Sequence, residues 1–358
     1  MKKLIYLSIL FLTNCLATPE GPSPYMDSTG EMEYQQVFIK VSYGTLKENN
    51  NLLVSNIQTP NVQIYLHSLN ANPVDLNFLF NNMRGNYIPT LQPARGIISQ
   101  SGNPKSYYYF IQINPGEEVT INLISFNATS AYNFGVVGDI QSNNTIGELI
   151  AASASMHNLD FFIITGDYVS QATETEYQWA FLLSENNFSM PVYTIMGNHD
   201  ASIGGGNGYY LFRQYFGRTN YAFSHNEDLF LFLDSSQQNI SESVYGFAQL
   251  SLSQNLRNKF IFMHIPPFDQ DGTRANGFSS DFQAARFINM VKNNNGDIIF
   301  SGHIHTYQNF IVSNIRTIVI GTGGGLPMRF DGVGFQYLIT HVDSSGNASI
   351  EIIPIAPN

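Results

Sequence analysis

The chain has 358 residues, of which 43% are hydrophobic and only 12% are charged, and its net charge is -11. The length allows two domains, and the apolar content is sufficient for a buried core. Because the charge is acidic and no basic cluster is present, composition argues against a nucleic-acid coat protein and against a binder of anionic membranes.

Residues 1–17 have the pattern of an export signal: two lysines precede the apolar stretch Leu4–Leu12, which is too short to span a bilayer. The one cysteine of the chain, Cys15, lies in "LTNC", which resembles a bacterial lipobox except for Asn14. One interpretation is a lipidated Cys15 that attaches the protein to a membrane, and the other is cleavage after "CLA" with release. Both predict an exported protein that is periplasmic, extracellular or envelope-anchored, with a bacterial context favoured, and that has no internal disulfide.

Residues 18–33, with "EGPSPYMDSTG", have the Pro/Gly-rich composition of a linker. Residues 34–130 contain short runs rich in Val, Ile, Tyr and Phe, such as "QVFIKVSYG" and "KSYYYFIQI", and turn-forming clusters such as "ENNN" and "NPG" separate these runs. The pattern predicts a small all-β, sandwich-like N-terminal domain, to which we assign no chemistry.

The pattern changes at residue 131. Buried strands such as "YNFGVVGDI", "LDFFIITGDYV" and "MPVYTIMGNHD" alternate with helical segments such as "TIGELIAASASMH" and "ETEYQWAFLLSEN". A predicted hairpin, "YAFSHNEDLFLFLDSS", precedes the strands "KFIFMHIPPF" and "GDIIFSGHIH". This alternation predicts an α/β domain over residues 131–358, in which helices cover apolar strands.

Five of these strands end in residues that are typical metal ligands, and glycine precedes most of them. They are Asp139 in "VVGDIQ", Asp167 in "IITGDY", Asn198 in "TIMGNHD", His264 in "FIFMHIPP", and His303 and His305 in "IIFSGHIH". Open α/β sheets bind ligands at the carboxyl ends of their strands, so we expect these side chains to converge. Carboxylate, amide and imidazole groups together suit Zn, Fe or Mn better than Ca²⁺.

In this order, the five motifs resemble those of the calcineurin-like metallophosphoesterases, over roughly residues 131–358. The segments "HIPP", "GHIHTYQ" and "VIGTGGG", and the β-rich region ahead of them, are similar to the purple-acid-phosphatase-related branch. The resemblance implies an α/β fold, a four-layer α/β/β/α sandwich, around two transition-metal ions. It also implies a metal-dependent hydrolase of small phosphate esters.

The resemblance also implies a role for each residue of the motifs. Asp167 would bridge the two metals, Asp139 and His305 would hold the first, and the second would be held by Asn198, His264 and His303. His199 would bind no metal but would face the phosphate and protonate the leaving oxygen, with Asp200 behind it to fix its tautomer.

Two positions depart from the family pattern. Gln141 stands where the first motif often has histidine, and it binds the first metal through its carbonyl oxygen, hydrogen-bonds a ligand or substrate, or has only a structural role. Ser170 stands where purple acid phosphatases have a metal-bound tyrosine, and Tyr168, next to Asp167, should point to the other side of an extended segment. We therefore predict no tyrosinate–Fe(III) colour, which leaves Zn, Mn or Fe(II).

Three functions fit these patterns. The first is an acid-phosphatase-like phosphomonoesterase, and the second is a phosphodiesterase acting on nucleotides or lipid head groups. The third is an inert envelope lipoprotein that binds through its β-domain. Arg213 and Arg274 lie in segments that follow metal motifs, where they either contact the substrate or have a structural role.

Overall fold

The computed structural model describes residues 23–85, 88–124, 131–202, 206–270, 272, 277–327 and 331–357. The predicted export signal, with Cys15, lies outside these residues, and so does Arg274. Within the described residues, no helix has the length and apolar character needed to cross a bilayer.

The N-terminal region consists of two five-stranded sheets packed face to face. Their strands are β1 Glu31–Tyr34, β2 Val37–Val41, β3 Lys47–Asn49, β4 Leu52–Asn56, β5 Val62–Ser68, β6 Val74–Asn81, β7 Thr90–Gln92, β8 Ile97–Gln100, β9 Tyr107–Ile113 and β10 Glu118–Ile124. The strand orders are β1-β2-β5-β10-β7 and β3-β4-β6-β9-β8. Residues alternate between buried and exposed along β5, β6 and β9, and the buried ones form one apolar core. The expected all-β sandwich is confirmed.

The linker predicted over residues 18–33 ends earlier than expected. Residues 31–33, the last of the predicted linker, already belong to β1 and pair with β2.

Ahead of β1, Asp27 accepts a hydrogen bond from Arg213 Nη2 at 2.8 Å, and Thr29 Oγ1 accepts one from Arg213 Nε at 2.8 Å. Arg213 therefore has a structural role, and its interpretation as a substrate contact is wrong.

The second region is a four-layer sandwich. Its strands are β11 Tyr132–Val137, β12 Phe161–Ile164, β13 Val192–Thr194, β14 Tyr221–His225, β15 Asp228–Leu233, β16 Lys259–Met263, β17 Ile298–Ser301, β18 Tyr307–Val312, β19 Ile315–Ile320, β20 Gln336–Val342 and β21 Ala348–Pro354. Its helices are α1 Asn144–Ser155, α2 Glu174–Asn186, α3 Asn198–Ala201, α4 Gly208–Tyr215, α5 Glu242–Leu252 and α6 Asp281–Asn293.

Two sheets form the inner layers, with the strand orders β13-β12-β11-β20-β21 and β14-β15-β16-β17-β19-β18. Phenylalanines from both sheets fill the space between them, including Phe134, Phe230 and Phe262. Helices α1 and α2 cover the outer face of the first sheet, and α5 and α6 cover that of the second. The predicted α/β/β/α order is confirmed.

Buried hydrogen bonds join the two regions. The Asn82 side chain pairs with the backbone of Val192 in the edge strand β13: its Nδ2 donates to Val192 O at 2.7 Å, and Val192 N donates to its Oδ1 at 2.8 Å. Lys105, only 2% exposed, donates from Nζ to Ser184 O near the end of α2, at 2.5 Å. The N-terminal sheets are therefore fixed on the α/β sandwich by specific polar contacts.

Candidate metal centre

The predicted ligands come from the carboxyl ends of strands in both inner sheets. Parallel strands β11, β12 and β13 of the first sheet lead to Asp139, Asp167 and Asn198. Parallel strands β16 and β17 of the second sheet lead to His264 and to the two histidines of "GHIH". One sheet thus contributes oxygen ligands and the other contributes imidazole nitrogens, and the two sets meet at one edge of the sandwich.

The residues assigned to the second metal form a compact group. His264 Nε2 lies 3.2 Å from Asp167 Oδ2 and 2.9 Å from Asn198 Oδ1. Ligand atoms of Asp167, His264 and His303 all lie within 4.8 Å of one another. The structure therefore brings together the four residues predicted for this metal.

The residues assigned to the first metal lie beside this group. His305 Nε2 is 3.3 Å from Asp139 Oδ1, and Gln141 Nε2 is 3.2 Å from His305 Nε2. The other oxygen of Asp139 accepts a hydrogen bond from the backbone N–H of His303 at 2.7 Å, which links the two groups. Gln141 thus lies beside the residues that would hold the first metal, and rotation of its amide by 180° would present the oxygen to them.

Backbone carbonyls fix the orientation of two imidazoles. His264 Nδ1 lies 2.8 Å from Thr165 O, and His305 Nδ1 lies 2.9 Å from Leu326 O. A carbonyl can only accept, so each Nδ1 carries the hydrogen and Nε2 faces the centre. Such a contact is typical of metal-binding histidines because it sets the tautomer.

The pKa values of the ligand residues indicate that the centre suits a bound cation. Although burial favours the neutral forms, the attraction between Asp167 and His264 is stronger: it lowers the pKa of Asp167 and raises the pKa of His264 to about 10. Burial and the nearby His264 lower the pKa of His303 to about 4, and its buried Nε2 has no hydrogen-bond partner among the described residues. The proton on His264 offsets the negative charge of Asp167. A metal ion bound at the same place would offset that charge instead, so the residues fit a metal ion.

The backbone of the centre is strained. Asp139, Asp167 and His303 have φ angles of 62°, 51° and 68°, in the left-handed region that side chains rarely adopt. Gly197 approaches Asp167 so closely that a Cβ at this position would lie 2.2 Å from its backbone N and from its Oδ1. Strain at several ligands of one site is typical of a functional constraint.

His199 lies at the rim of the centre, as expected for a residue that faces the phosphate. Its backbone N donates to Asp167 Oδ1 at 2.8 Å, and its Nε2 is 4.0 Å from Asp167 Oδ2. The side chain is 37% exposed, and Ser170 O, 2.8 Å from Nδ1, accepts the ring hydrogen there. Nε2 is therefore the nitrogen available to a substrate.

Asp200 does not have the predicted role of orienting His199. Its two carboxylate oxygens accept hydrogen bonds from the backbone N–H groups of Val169, at 3.0 Å, and Gly197, at 2.8 Å. Successive side chains on a helix point in different directions, and Nδ1 of His199 is already bonded to Ser170 O. Asp200 instead joins the two loops that carry Asp167 and Asn198.

The tyrosine next to Asp167 points away from the centre. The hydroxyl of Tyr168 is 2.8 Å from Ser184 Oγ, and its ring is buried in the core between the first sheet and its helices. The backbone carbonyl of Ser170 accepts a hydrogen bond from His199 Nδ1. Among the described residues, no phenol lies in the group of ligand atoms.

Asp234 is a further acidic residue at a strand end next to that of His264, and it was not among the predicted site residues. Strand β15 pairs with β16 in parallel, with Leu233 opposite Met263, so Asp234 follows beside His264. Asp234 is 8% exposed and lines a cavity of about 50 Å³ together with Tyr209 and Asn220. The signal was present in "FLFLDSS", a strand that ends in aspartate like the strands of the recognised motifs.

Comparisons with known proteins agree with this architecture. Residues 132–307 match the family model described as calcineurin-like phosphoesterase. The purple acid phosphatase PPD1 from yellow lupin (Lupinus luteus) seeds is similar in fold, with a TM-score of 0.55, 11% identity, and coverage of 87% of this chain and 72% of that chain. PhoD gives a TM-score of 0.49 and 13% identity, with coverage of 82% and 86%.

No curated protein matches the sequence. The match over residues 132–307 covers the strand ends that carry Asp139, Asp167, Asn198, His264 and both histidines of "GHIH". Residues 132–307 form a calcineurin-like phosphoesterase domain, and the chain is a metal-dependent phosphoester hydrolase.

Proposed function

We propose that the chain is an exported phosphomonoesterase of the acid-phosphatase type. The observation that carries the proposal is the placement of His199: it is anchored by Ser170 O, is partly exposed, and directs Nε2 to the rim of a buried ligand group. An imidazole in this position can donate a proton to an ester oxygen that leaves from a phosphate bound at the centre.

The metal ions and the side chains have separate tasks in this proposal. When bound, two ions supply Lewis acidity, offset the charge of the phosphate and lower the pKa of water. Asp167 would be shared by the two ions, and the backbone carbonyls of Thr165 and Leu326 hold the imidazoles in place. His199 would then donate the proton on Nε2 to the leaving oxygen, while the hydrogen on Nδ1 stays on the ring and is donated to Ser170 O.

We propose Zn, Mn or Fe(II) as the metals, because carboxylate, amide and imidazole ligands suit these ions. A phosphomonoester carries up to two negative charges near neutral pH, and two divalent ions offset such a group well. The hydroxyl of Tyr168 is directed to Ser184, so we expect no tyrosinate–Fe(III) absorption.

We also propose export, through the signal pattern of residues 1–17, followed either by lipidation of Cys15 or by release. The intact mass of the processed protein separates these two outcomes. A lipidated chain begins at Cys15 and carries the added acyl mass, whereas a released chain begins at Thr18.

A phosphodiesterase is the second candidate, and the polar side chains next to the strand end of His264 provide a test of it. Asp234, Tyr209 and Asn220 line one small cavity, and Asp234 follows the strand next to that of His264, so we propose that this side of the centre faces the second ester group of a diester. In this case Asp234→Asn should weaken turnover of a diester more than that of an aryl monoester.

Metal analysis combined with two substrates tests the proposal. We expect close to two transition-metal ions per chain, and faster hydrolysis of an aryl phosphate monoester than of the matching diester. Less than one ion per chain, with neither ester hydrolysed after loading with Zn, Mn or Fe, would support the inert lipoprotein instead. Faster turnover of the diester would favour the second candidate.

The role of His199 has its own test. We expect His199→Ala to retain both metals and to lose most of the turnover, by roughly 100-fold or more. His341→Ala is the matched control, because His341 lies in β20 and is bonded to Asn133 and Glu351. A His199→Ala protein that loses metal would contradict the assigned role.

A further inference from the structure

The outer face of one N-terminal sheet carries a row of uncharged side chains. We define the aromatic face as the solvent side of strands β4, β6, β9 and β8. The registers align one row and part of a second across these strands, namely Leu52, Asn77, Phe110 and Ile97, then Leu79, Tyr108 and Ser99. At about 4.8 Å between strands, the first row extends over about 14 Å.

Several apolar groups of this face are left in water. Ile97 is 68% exposed, Tyr108 47% and Phe110 38%. Among the described residues, neither ring stacks on another aromatic ring, although stacked rings are frequent elsewhere in the chain. A group of adjacent exposed apolar side chains on one face is a common mark of a binding site.

The face also forms a shallow cavity of about 510 Å³. Its walls combine apolar groups with amides and a hydroxyl, and they contain no charged side chain: Asn50, Asn51, Leu52, Asn77, Phe78, Ile97, Ser99, Tyr108, Tyr109 and Phe110. The volume is in the range of small-ligand sites, and the lining suits a ligand that is neutral and that makes both apolar and hydrogen-bonding contacts.

The outer face of the other N-terminal sheet is different. It also has two neighbouring aromatic residues, Phe38 and Tyr65, with ring centroids 6.1 Å apart. However, Lys40 stands opposite Tyr65 and forms an ion pair with Glu31 at 2.7 Å, and His67 stands opposite Phe38. The lack of charge is a property of the cavity and not of the whole face, since Asp75 lies on the same side of β6 as Asn77 and accepts a hydrogen bond from Gln112 Nε2 at 2.8 Å.

We propose that the aromatic face binds a neutral polysaccharide. A sugar ring presents C–H groups on one side, which pack on aromatic rings, and hydroxyls at its edge, which pair with amides. Tyr108 and Phe110 supply the rings, and Asn77, Ser99 and Asn51 supply hydrogen-bonding groups around them. The length of the row suits a short stretch of glycan, and the uncharged lining of the cavity suits a neutral chain.

Affinity electrophoresis of the full chain tests the proposal. Gels would contain soluble β-glucan, hydroxyethyl cellulose or mannan as neutral probes, and polygalacturonate as an acidic probe. We expect retardation by at least one neutral polysaccharide, and about tenfold weaker binding in Tyr108→Ala and Phe110→Ala. The matched control, Tyr65→Ala, should bind as the parent does, and all four proteins should hydrolyse the aryl phosphate at the same rate.

Several outcomes would overturn the proposal. One is a parent protein that no neutral polysaccharide retards. A second is retardation that survives both aromatic substitutions, which would place binding elsewhere. A third is a concentration-dependent dimer in light scattering that Tyr108→Ala abolishes, without binding of any glycan, since the face would then bind a second copy. Loss of phosphatase activity in the parent leaves this test intact, because retardation does not require turnover.

Discussion

Replacement of Gly197 by alanine provides a stringent test of the metal centre. The backbone at Gly197 has φ -99° and ψ 178°, which any residue can adopt, so the substitution introduces no conformational strain. The only new feature is a methyl group, and it would lie 2.2 Å from the backbone N and from Oδ1 of Asp167. The variant therefore tests the position of Asp167 and its loop.

The size of the effect follows from this distance. Real Cβ atoms essentially never come closer than 3.0 Å to a neighbour, so the loop of Asp167 has to move by at least 0.8 Å, the difference between 3.0 and 2.2 Å. A displacement of about 1 Å at a reacting centre costs about 100-fold in rate. We expect a loss of this size in kcat/KM, a reduced metal content, and a cost of about 1–3 kcal/mol in the free energy of unfolding.

The assays are metal content per chain, hydrolysis of an aryl phosphate monoester, and thermal unfolding. Gly334→Ala is the control, because a Cβ on Gly334 would have no neighbour within 4 Å. If Gly197→Ala kept two metals per chain and retained activity within threefold of the parent, the placement of Asp167 against this loop would be refuted.

Three further predictions concern other parts of the structure. Gln141→His should bind the first metal more tightly, because an imidazole replaces an amide that faces His305, and metal retention during dialysis against a chelator measures this. Arg257→Met should lower the free energy of unfolding in urea by about 3 kcal/mol, because Asp228, 0% exposed, loses both hydrogen bonds from the guanidinium. Burial lowers the pKa of His225 to about 4 from an ordinary value of 6.5, so the folded state excludes a proton that the unfolded state binds. The stability from this residue is complete above about pH 6.5 and falls between about pH 6.5 and 4, and the melting temperature of His225→Phe should decline less over that interval.

Each of these predictions has an outcome that contradicts it. Equal metal retention in Gln141→His would mean that this side chain lies outside the shell of the first metal. An Arg257→Met protein as stable as the parent would show that Asp228 finds another partner. Parallel melting curves of the parent and His225→Phe across the acidic range would mean that His225 is not kept neutral by the fold.

The ligands of the centre could be predicted because each follows a buried strand within a few residues. The apolar strand is a local pattern, and the parallel order brings the carboxyl ends together at one edge. Asp234 could have been predicted in the same way, since in "FLFLDSS" an aspartate also follows an apolar strand. It does not belong to any of the recognised motifs.

Other features of the centre depend on contacts that leave no trace in the sequence. Thr165, Ser170 and Leu326 act through backbone carbonyls, which every residue type possesses. Arg213 was associated with the substrate because it follows a metal motif, yet its partner Asp27 lies 186 residues away in the chain. A pairing over such a separation is decided by tertiary structure and not by local pattern.

The contact between Asn82 and Val192 determines where the chain can be shortened. The amide of Asn82 supplies the donor and the acceptor that a neighbouring strand would otherwise offer to β13. A fragment that starts at residue 131 would present those two backbone groups to solvent, and an unpaired edge is a template for a strand of another molecule. The hydrolase domain produced alone should therefore associate into oligomers. In the full chain, the N-terminal sandwich should prevent this association because it covers the edge of β13.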